Sequence, residues 1–374
     1  MRRSVRWVVA AALAGAGLGF AAPPAVAVQP APGALPAGVT DLTPAGGESR
    51  AVRVNARGDI VGSTTPTPDG SWSGELWSRD GYHVGSLELG THAHAVNNQG
   101  DAVGCTADGV GLLWRHQTLT RVRRAGQSIC FSGLNNSGQI IGTTASTAGG
   151  PATAFVWQDG RFTDLATPAG RASDPIGIND RGEVVGRLFG ATASIPIRTV
   201  VWSGGRRTDL GTLGGAQSVP TAINSAGVVI GTSKLASGQT HPFSWRAGRM
   251  TDLLAGTGVT DNESYVSALN DAGDIVGTVS GRPVVWRHGA LTYLAPATVR
   301  GEAVAVNACG AVTGVVRSAG GDPGVFRWQG GTLTRLPSLA GADYGYPVGI
   351  DDQGRVVGNV SVEPGGTNHA VIWR

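Results

Sequence analysis

One ten-residue pattern occurs eight times along this chain, and no other sequence feature restricts the possible folds as strongly. It reads small-apolar-Asn-x-x-Gly-x-apolar-apolar-Gly, with small departures between copies. Successive copies are separated by 37 to 46 residues. A repeat of this length is typical of one supersecondary unit that buries its apolar surface against the next unit. The anchor position of the pattern is Asn55, Asn97, Asn135, Asn179, Asn224, Asn270 and Asn307, with Asp351 in the eighth copy.

A tryptophan follows each copy of the pattern after a loop. The chain has 10 tryptophans, and outside these eight only Trp7 and Trp72 remain. A large aromatic residue at one fixed position in every unit predicts packing between neighbouring units rather than a ring of exposed ligand contacts. The eight are Trp77, Trp114, Trp157, Trp202, Trp245, Trp286, Trp328 and Trp373.

The fifth unit divides into four short strands, at residues 218–223, 228–232, 242–245 and 250–253. A tight turn with Asn and Gly separates the first two strands. Four strands in about 42 residues, repeated eight times, predict an all-β chain folded as an eight-bladed β-propeller of four-stranded antiparallel blades. The alternatives are a β-solenoid and a seven-bladed ring with one unit outside it.

The two ends of the repeat region complement each other. Residues 39–42 (VTDL) resemble the fourth strands at residues 163–165, 208–210 and 251–253, yet they precede the first unit. The last unit stops at Trp373 and Arg374 and lacks a fourth strand. We therefore expect the N-terminal strand to complete the last blade, which closes the ring and removes an unpaired sheet edge.

The N-terminus has the pattern of a bacterial secretory signal peptide. Arg2, Arg3 and Arg6 precede an apolar, Gly-containing run, and residues 25–27 (AVA) fit a cleavage site. The alternative, a membrane anchor, would need a longer apolar run. We expect cleavage after Ala27, a Pro/Ala-rich leader at residues 28–38, a single propeller domain at residues 39–374, and an extracellular location without membrane attachment.

Charge argues against nucleic-acid binding. The three charged residues of the signal peptide are all Arg. Cleavage therefore lowers the number of Lys and Arg residues from 29 to 26, which equals the number of Asp and Glu residues, 26. A neutral mature chain lacks the basic surface that attracts nucleic acid.

Few side chains stand out as site candidates. Trp72 lies outside the tryptophan pattern in a Ser/Gly-rich loop, and Arg53 occupies a position that is Ala or Gly in the other seven units; we predict both as ligand contacts. Cys105 and Cys130 fall in neighbouring units and are a possible disulfide pair, which leaves Cys309 as a free thiol. No catalytic, cofactor-binding or metal-binding residue is predicted. His92 and His94 have a spacing that suits zinc but no supporting cluster of further ligands.

Several segments resemble the HAF-repeat family of probable extracellular proteins. They are residues 240–253 (THPFSWRAGRMTDL), 209–215 (DLGTLGG) and 368–373 (NHAVIW), and the resemblance extends over about residues 39–374. The family's characteristic His is matched only by His241 and His369. The resemblance implies secretion and a repeat architecture, and it supplies no catalytic residues.

These observations predict a secreted, monomeric, non-catalytic binding or adhesion module for a cell-wall glycan or a surface protein. The variable loops on one face and the absence of a concentrated set of acids, bases or nucleophiles support this prediction. One alternative is an extracellular carbohydrate-active enzyme, a lyase or glycosidase, with loop carboxylates at the channel mouth. A structural protein of an envelope or spore layer is another.

Overall fold

The computed structural model describes residues 38–44, 47–65, 70–146, 149–190, 195–317, 321, 323–362 and 366–374. Within them lie eight four-stranded antiparallel sheets, and the first strands of the sheets contact one another in cyclic order. The chain is therefore an eight-bladed β-propeller, as predicted; the solenoid and the seven-bladed ring are wrong. The signal peptide and nearly all of the leader, residues 1–37, lie outside the described residues.

Strand β1 spans Val39–Asp41, and the blades follow it in chain order. Blade 1 comprises β2 (Glu48–Val54), β3 (Ile60–Thr65), β4 (Ser73–Trp77) and β5 (His83–Leu89); blade 2, β6 (Thr91–Val96), β7 (Ala102–Thr106), β8 (Gly111–Arg115) and β9 (Thr118–Val122); blade 3, β10 (Gln127–Leu134), β11 (Ile140–Ser146), β12 (Thr153–Gln158) and β13 (Arg161–Asp164); blade 4, β14 (Arg171–Ile178), β15 (Val184–Gly190), β16 (Arg198–Ser203) and β17 (Arg206–Asp209).

Blade 5 comprises β18 (Gly214–Ile223), β19 (Val229–Leu235), β20 (Thr240–Arg246) and β21 (Arg249–Asp252); blade 6, β22 (Tyr265–Leu269), β23 (Ile275–Val279), β24 (Arg282–Arg287) and β25 (Ala290–Tyr293); blade 7, β26 (Arg300–Val306), β27 (Val312–Arg317), β28 (Gly324–Gln329) and β29 (Thr332–Arg335); blade 8, β30 (Ala342–Ile350), β31 (Val356–Val362) and β32 (Thr367–Trp373) together with β1. The part of the chain that is described has no helix capable of crossing a membrane.

The anchor Asn closes the turn between the first two strands of its blade. Asn224 Oδ1 accepts hydrogen bonds from the backbone N–H groups of Ala226 and Val228, at 3.1 and 2.9 Å. The following Gly227 has φ +75°, and the equivalent glycine has φ between +75° and +94° in every blade. A residue with a side chain is strained in this left-handed region, so the first repeated Gly is required by backbone conformation.

The second repeated Gly is required by a close contact instead. A Cβ atom on Gly231 would lie 2.1 Å from the carbonyl oxygen of Val219, and the equivalent distance is 2.0–2.4 Å in all eight blades. The first strand of every blade contains a β-bulge beside this glycine. Because a bulge bends its strand towards the partner, only a residue without a side chain fits there.

The same asparagines connect neighbouring blades. Asn224 Nδ2 donates to the backbone carbonyl of Asn270 in the next blade at 3.0 Å. Seven such bonds, from Asn55 onwards to Asn307, join blade 1 through to blade 8, at 2.7–3.2 Å. The anchor asparagines thus form a chain of hydrogen bonds, the Asn chain, that runs around the axis.

A buried ion pair replaces the asparagine in the eighth blade. Asp351 has no amide to donate, and its carboxylate instead accepts from Arg355 Nε at 2.6 Å. Arg355 donates its other nitrogens to the carbonyls of Arg57 and Arg79 in blade 1, at 3.1 and 3.0 Å. Both charged side chains are almost fully buried, so each needs the opposite charge of the other. The connection between blades 8 and 1 therefore depends on this ion pair.

The repeated tryptophans fill the core between blades. Trp286 is 2% exposed, and its indole N–H donates to the Leu253 carbonyl of the preceding blade at 3.1 Å. Trp202 and Trp373 make the same kind of bond to the preceding blade. Six of the eight are buried; Trp114 and Trp245 are only partly buried.

Strand β1 closes the ring as predicted. It pairs antiparallel with β32, and Val39 lies opposite Trp373. Leu42 extends this pairing through its N–H, which donates to the Ala370 carbonyl at 2.9 Å, and its side chain is buried. His369 Nδ1 lies 2.8 Å from Asp41 Oδ2, which adds a side-chain contact across the closing pair.

We predict that Trp286→Ala lowers the free energy of unfolding by about 3–5 kcal/mol, because it removes a buried aromatic side chain and leaves a cavity. Denaturant unfolding measures the change. Trp245→Ala, at a partly buried position, should cost less; equal losses would contradict the assignment of Trp286 to the core between blades.

Deletion of residues 28–43 should lower the melting temperature sharply, because it removes β1 and leaves β32 as an unpaired edge. Thermal unfolding followed by circular dichroism tests this. The control is deletion of residues 28–37, which keeps β1. If both truncated proteins melt together, the closing strand does not contribute to stability.

Arg355→Ala should cost about 3–5 kcal/mol of stability, because Asp351 would remain buried without a counter-charge. Adding Asp351→Asn to that variant should restore part of the loss, since an amide can donate to blade 1 as the other anchor residues do. A double variant that is no more stable than Arg355→Ala would show that the charge pair is not the reason.

Candidate functional site

The central channel is surrounded by the first strands of the eight blades. Because every first strand carries a bulge at the same place, equivalent residues lie at equivalent levels around the axis. The residues that stand five positions before each anchor share one such level. Their side chains differ widely in chemistry, and each of these residues is half-buried or exposed. They are Arg50, His92, Cys130, Asp174, Val219, Tyr265, Glu302 and Tyr346.

Three residues at this level, on consecutive blades, lie close together. The Tyr265 hydroxyl of blade 6 donates to Glu302 Oε2 of blade 7 at 2.5 Å. Tyr346 of blade 8 lies close enough to Glu302 for the charge of the carboxylate to act on its hydroxyl. Burial, followed by the influence of Glu302, raises the pKa of Tyr346 to about 12 and raises that of Tyr265 as well. Both phenols therefore stay protonated and act as donors at neutral pH.

Glu302 carries a charge that no basic side chain neutralises within the described residues. Asp174, at the same level in blade 4, differs because Arg187 contacts its carboxylate at 2.8 Å. Enclosing an unpaired carboxylate is costly unless another group offsets the charge. Glu302 is thus a point of the channel wall that is open to a cation.

The opposite charge lies on blade 1. Arg50 stands at the level of Glu302, a quarter of the ring away, and Arg53 lies three residues further along β2. Neither guanidinium has an ion-pair or hydrogen-bond partner in the portion of the chain that is described. The side chain of Arg53 is exposed to solvent, while the protein groups around it lower its pKa. These properties place Arg53 in the channel.

His94 lies in blade 2, next to this basic side of the channel. Its Nδ1 is 2.8 Å from the Phe131 carbonyl of blade 3. Burial lowers the pKa of His94, and His92 and Arg53 contribute in the same direction. Beside it, Cys105 of β7 and Cys130 of β10 are joined by a disulfide, the pairing suggested by the sequence.

The turn-side mouth of the channel contains a polar cavity of about 250 Å³, lined by anchor asparagines and the residues that follow them. The polar atoms of these asparagines already bond to the turn or to the next blade. This cavity is therefore a product of the Asn chain, and it presents little free hydrogen-bonding capacity to a ligand.

The two predicted ligand contacts do not lie together. Arg53 is near the turn-side end of β2, whereas Trp72 precedes β4, at the other face of the blade and two strands further from the axis. Trp72 is half-buried, and its carbonyl accepts the Gly90 N–H at 2.7 Å. Cys309 is an exposed free thiol in the turn after Asn307.

Sequence reasoning missed Tyr265, Glu302 and Tyr346. Each stands five residues before an anchor, so the repeat shows that they occupy equivalent positions. The repeat does not show that their side chains lie close together, because they belong to different blades.

Blade 8 contains a hydroxyl–imidazole–carboxylate series. Thr367 Oγ1 lies 3.4 Å from His369 Nε2, and His369 Nδ1 contacts Asp41. This order is that of a hydrolase triad. However, His241 and Asp252 in blade 5, and Arg198 and Asp209 in blade 4, make the equivalent contact without the hydroxyl. The contact recurs as a link between the third and fourth strands, so we assign it a structural role.

No protein-family model matches the chain, and no curated protein is similar to it. Solved structures share its fold. The β-propeller domain of the Trilobed protease from Pyrococcus furiosus, described as having an open velcro topology, superposes with a TM-score of 0.52 at 10% identity, over 78% of this chain and 99% of that chain. In contrast to that description, β1 closes the present ring.

Two puromycin-hydrolysing proteins also match. A puromycin-hydrolyzing peptidase from Mycobacterium tuberculosis gives a TM-score of 0.51 at 12% identity, over 84% of this chain and 57% of that one. A puromycin hydrolase gives 0.51 at 15% identity, over 85% and 59%. The present chain therefore spans less than three fifths of the length of these two proteins, and identities this low establish the fold alone.

These matches correct the functional prediction. The predicted non-catalytic binding or adhesion module for a glycan or surface protein is contradicted, because the solved structures that share this fold are a protease domain, a puromycin-hydrolyzing peptidase and a puromycin hydrolase. The alternative of a lyase or glycosidase is not supported either. Variable loops and scattered carboxylates misled the prediction, since they are equally compatible with a propeller that handles peptides.

Proposed function

We propose that this chain takes part in peptide hydrolysis as a propeller whose central channel receives peptide substrates. The observation that carries the proposal is the pair of opposite, unneutralised charges in the channel wall: Glu302 on blade 7, and Arg50 and Arg53 on blade 1. A peptide with free ends carries the complementary charges on a flexible backbone.

The Glu302 cluster suits an ammonium group. A carboxylate forms strong charge-assisted hydrogen bonds to such a donor. Since the Tyr265 hydroxyl already donates to Glu302, the carboxylate is held in place before the ligand arrives, which reduces the entropy lost on binding.

The basic side suits a carboxylate. Arg50 and Arg53 each present a planar guanidinium that can bind a carboxylate through two parallel hydrogen bonds. Arg53 is the only large side chain at its level. The other seven blades have Ala or Gly there, and these small residues leave space in the channel for the Arg53 side chain. A ligand carrying both charges would be oriented between blades 7 and 1.

The similar structures support this assignment. They include propellers of peptidases, and one is a puromycin hydrolase mutant complexed with PGG. The bond-breaking group is not assigned to this propeller. We assign to the chain the reception and orientation of the peptide. We also propose that the protein is secreted after cleavage behind Ala27, that it is related to the HAF-repeat proteins and that it is a monomer.

Glu302→Gln should weaken binding of triglycine with free ends by about tenfold to a hundredfold, the value of one charge-assisted hydrogen bond. The amide oxygen preserves an acceptor for the Tyr265 hydroxyl, so the fold should be unaffected. Isothermal titration calorimetry of the purified chain measures the affinity. Glu183→Gln, on the turn between β14 and β15, is the matched control.

N-acetyl-triglycine should bind as weakly to the unaltered chain as triglycine binds to Glu302→Gln. Equal affinity for free and acetylated peptide, or an equal effect of the control substitution, would overturn the role of Glu302. No detectable binding of any triglycine derivative would overturn the proposed function itself.

A further inference from the structure

The channel wall between blades 2 and 3 holds three side chains that are chemically suited to a metal. They are His94 on β6, Cys105 on β7 and Cys130 on β10, and one ligand atom from each lies within 4.8 Å of the others. His94 Nδ1 is 3.7 Å from Cys130 Sγ. His92 lies directly opposite Cys105 in the strand register. The two sulfurs are bonded to each other, so the site is closed in this state.

We propose that reduction of the Cys105–Cys130 disulfide opens a Zn²⁺ site formed by both thiolates and His94. An external dithiol supplies two electrons and two protons; it becomes a disulfide while Cys105 and Cys130 become thiols. Binding of Zn²⁺ then displaces the two thiol protons. The metal would replace the covalent bond between blades 2 and 3 with a coordinate one.

The ligand types favour zinc. Two thiolates and an imidazole are a combination that binds Zn²⁺ in proteins, and the fourth position is open to His92 or water. Oxygen-preferring cations such as Ca²⁺ and Mg²⁺ are disfavoured, because the three residues offer no carboxylate.

The surroundings of His94 also favour a ligand role. When Nδ1 carries the ring proton and donates it to the Phe131 carbonyl, Nε2 is the nitrogen left to bind the metal, and the contact with Phe131 orients the ring. His94 is the extra residue of the β-bulge in β6, between Ala93 and Ala95.

The strands on both sides hold the two cysteines in place without the disulfide. Cys105 lies within the β6–β7 ladder, and Cys130 lies within the β10–β11 ladder. Reduction therefore leaves both thiols attached to paired strands of adjacent blades. The site is preformed by the fold rather than by the bond alone.

The test is a Co²⁺ titration of the mature chain carrying Cys309→Ala, which removes the exposed third thiol. After reduction under argon and removal of the reductant, one equivalent of Co²⁺ should produce a thiolate-to-cobalt charge-transfer band, which Zn²⁺ then bleaches. The oxidised protein should give no band. Adding His94→Ala should weaken binding at least tenfold, whereas His83→Ala, an exposed histidine of blade 1, should leave it unchanged.

A thermal melt covers the case in which reduction weakens the fold. Zn²⁺ should raise the melting temperature of the reduced protein, or refold it, and His94→Ala should lose that effect. Absence of both the band and the thermal shift in the reduced protein overturns the proposal. Metal binding that is unaffected by His94→Ala also overturns it, because the thiols would then act without the histidine.

Discussion

The Asn chain around the axis is the interaction on which the ring depends. An asparagine side chain has both an acceptor and a donor end, so each anchor can satisfy the turn of its own blade and bond to the next. Asn224 does both, through Oδ1 to Val228 and through Nδ2 to Asn270. An aspartate lacks the donor, which is why the eighth blade needs a buried arginine to complete the circuit. The hydrogen bonds thereby couple local turn geometry to blade spacing.

This constraint separates the invariable part of the molecule from the variable part. The turns, their left-handed glycines and the bulges occupy fixed positions in every blade, so the first strands approach the axis at the same height. Side chains at one level of those strands are then free to differ without disturbing the ring. Tyr265, Glu302 and Tyr346 meet because three successive blades present that level side by side.

The channel wall carries charges of both signs. Asp174 is paired with Arg187, whereas Glu302, Arg50 and Arg53 have no ion pair among the described residues. Glu302 is half-buried, which makes its unpaired charge more costly than one at the outer surface. A channel wall with such charges is consistent with an outside ligand that neutralises them, which is the basis of the proposed peptide role.

The sequence by itself determined the eight blades, the tight turns, the position of the tryptophans and the closing strand, because each depends on residues that recur at fixed spacing. It also identified Arg53 as exceptional, since seven other blades have a small residue there. It did not determine which side chains meet across blades. The contact of Tyr265 with Glu302 joins residues 37 positions apart, and the meeting of His94 with Cys130 joins residues 36 apart. Such contacts arise only when ring closure brings separate strands to one axis, so the tertiary structure alone decided the composition of the site.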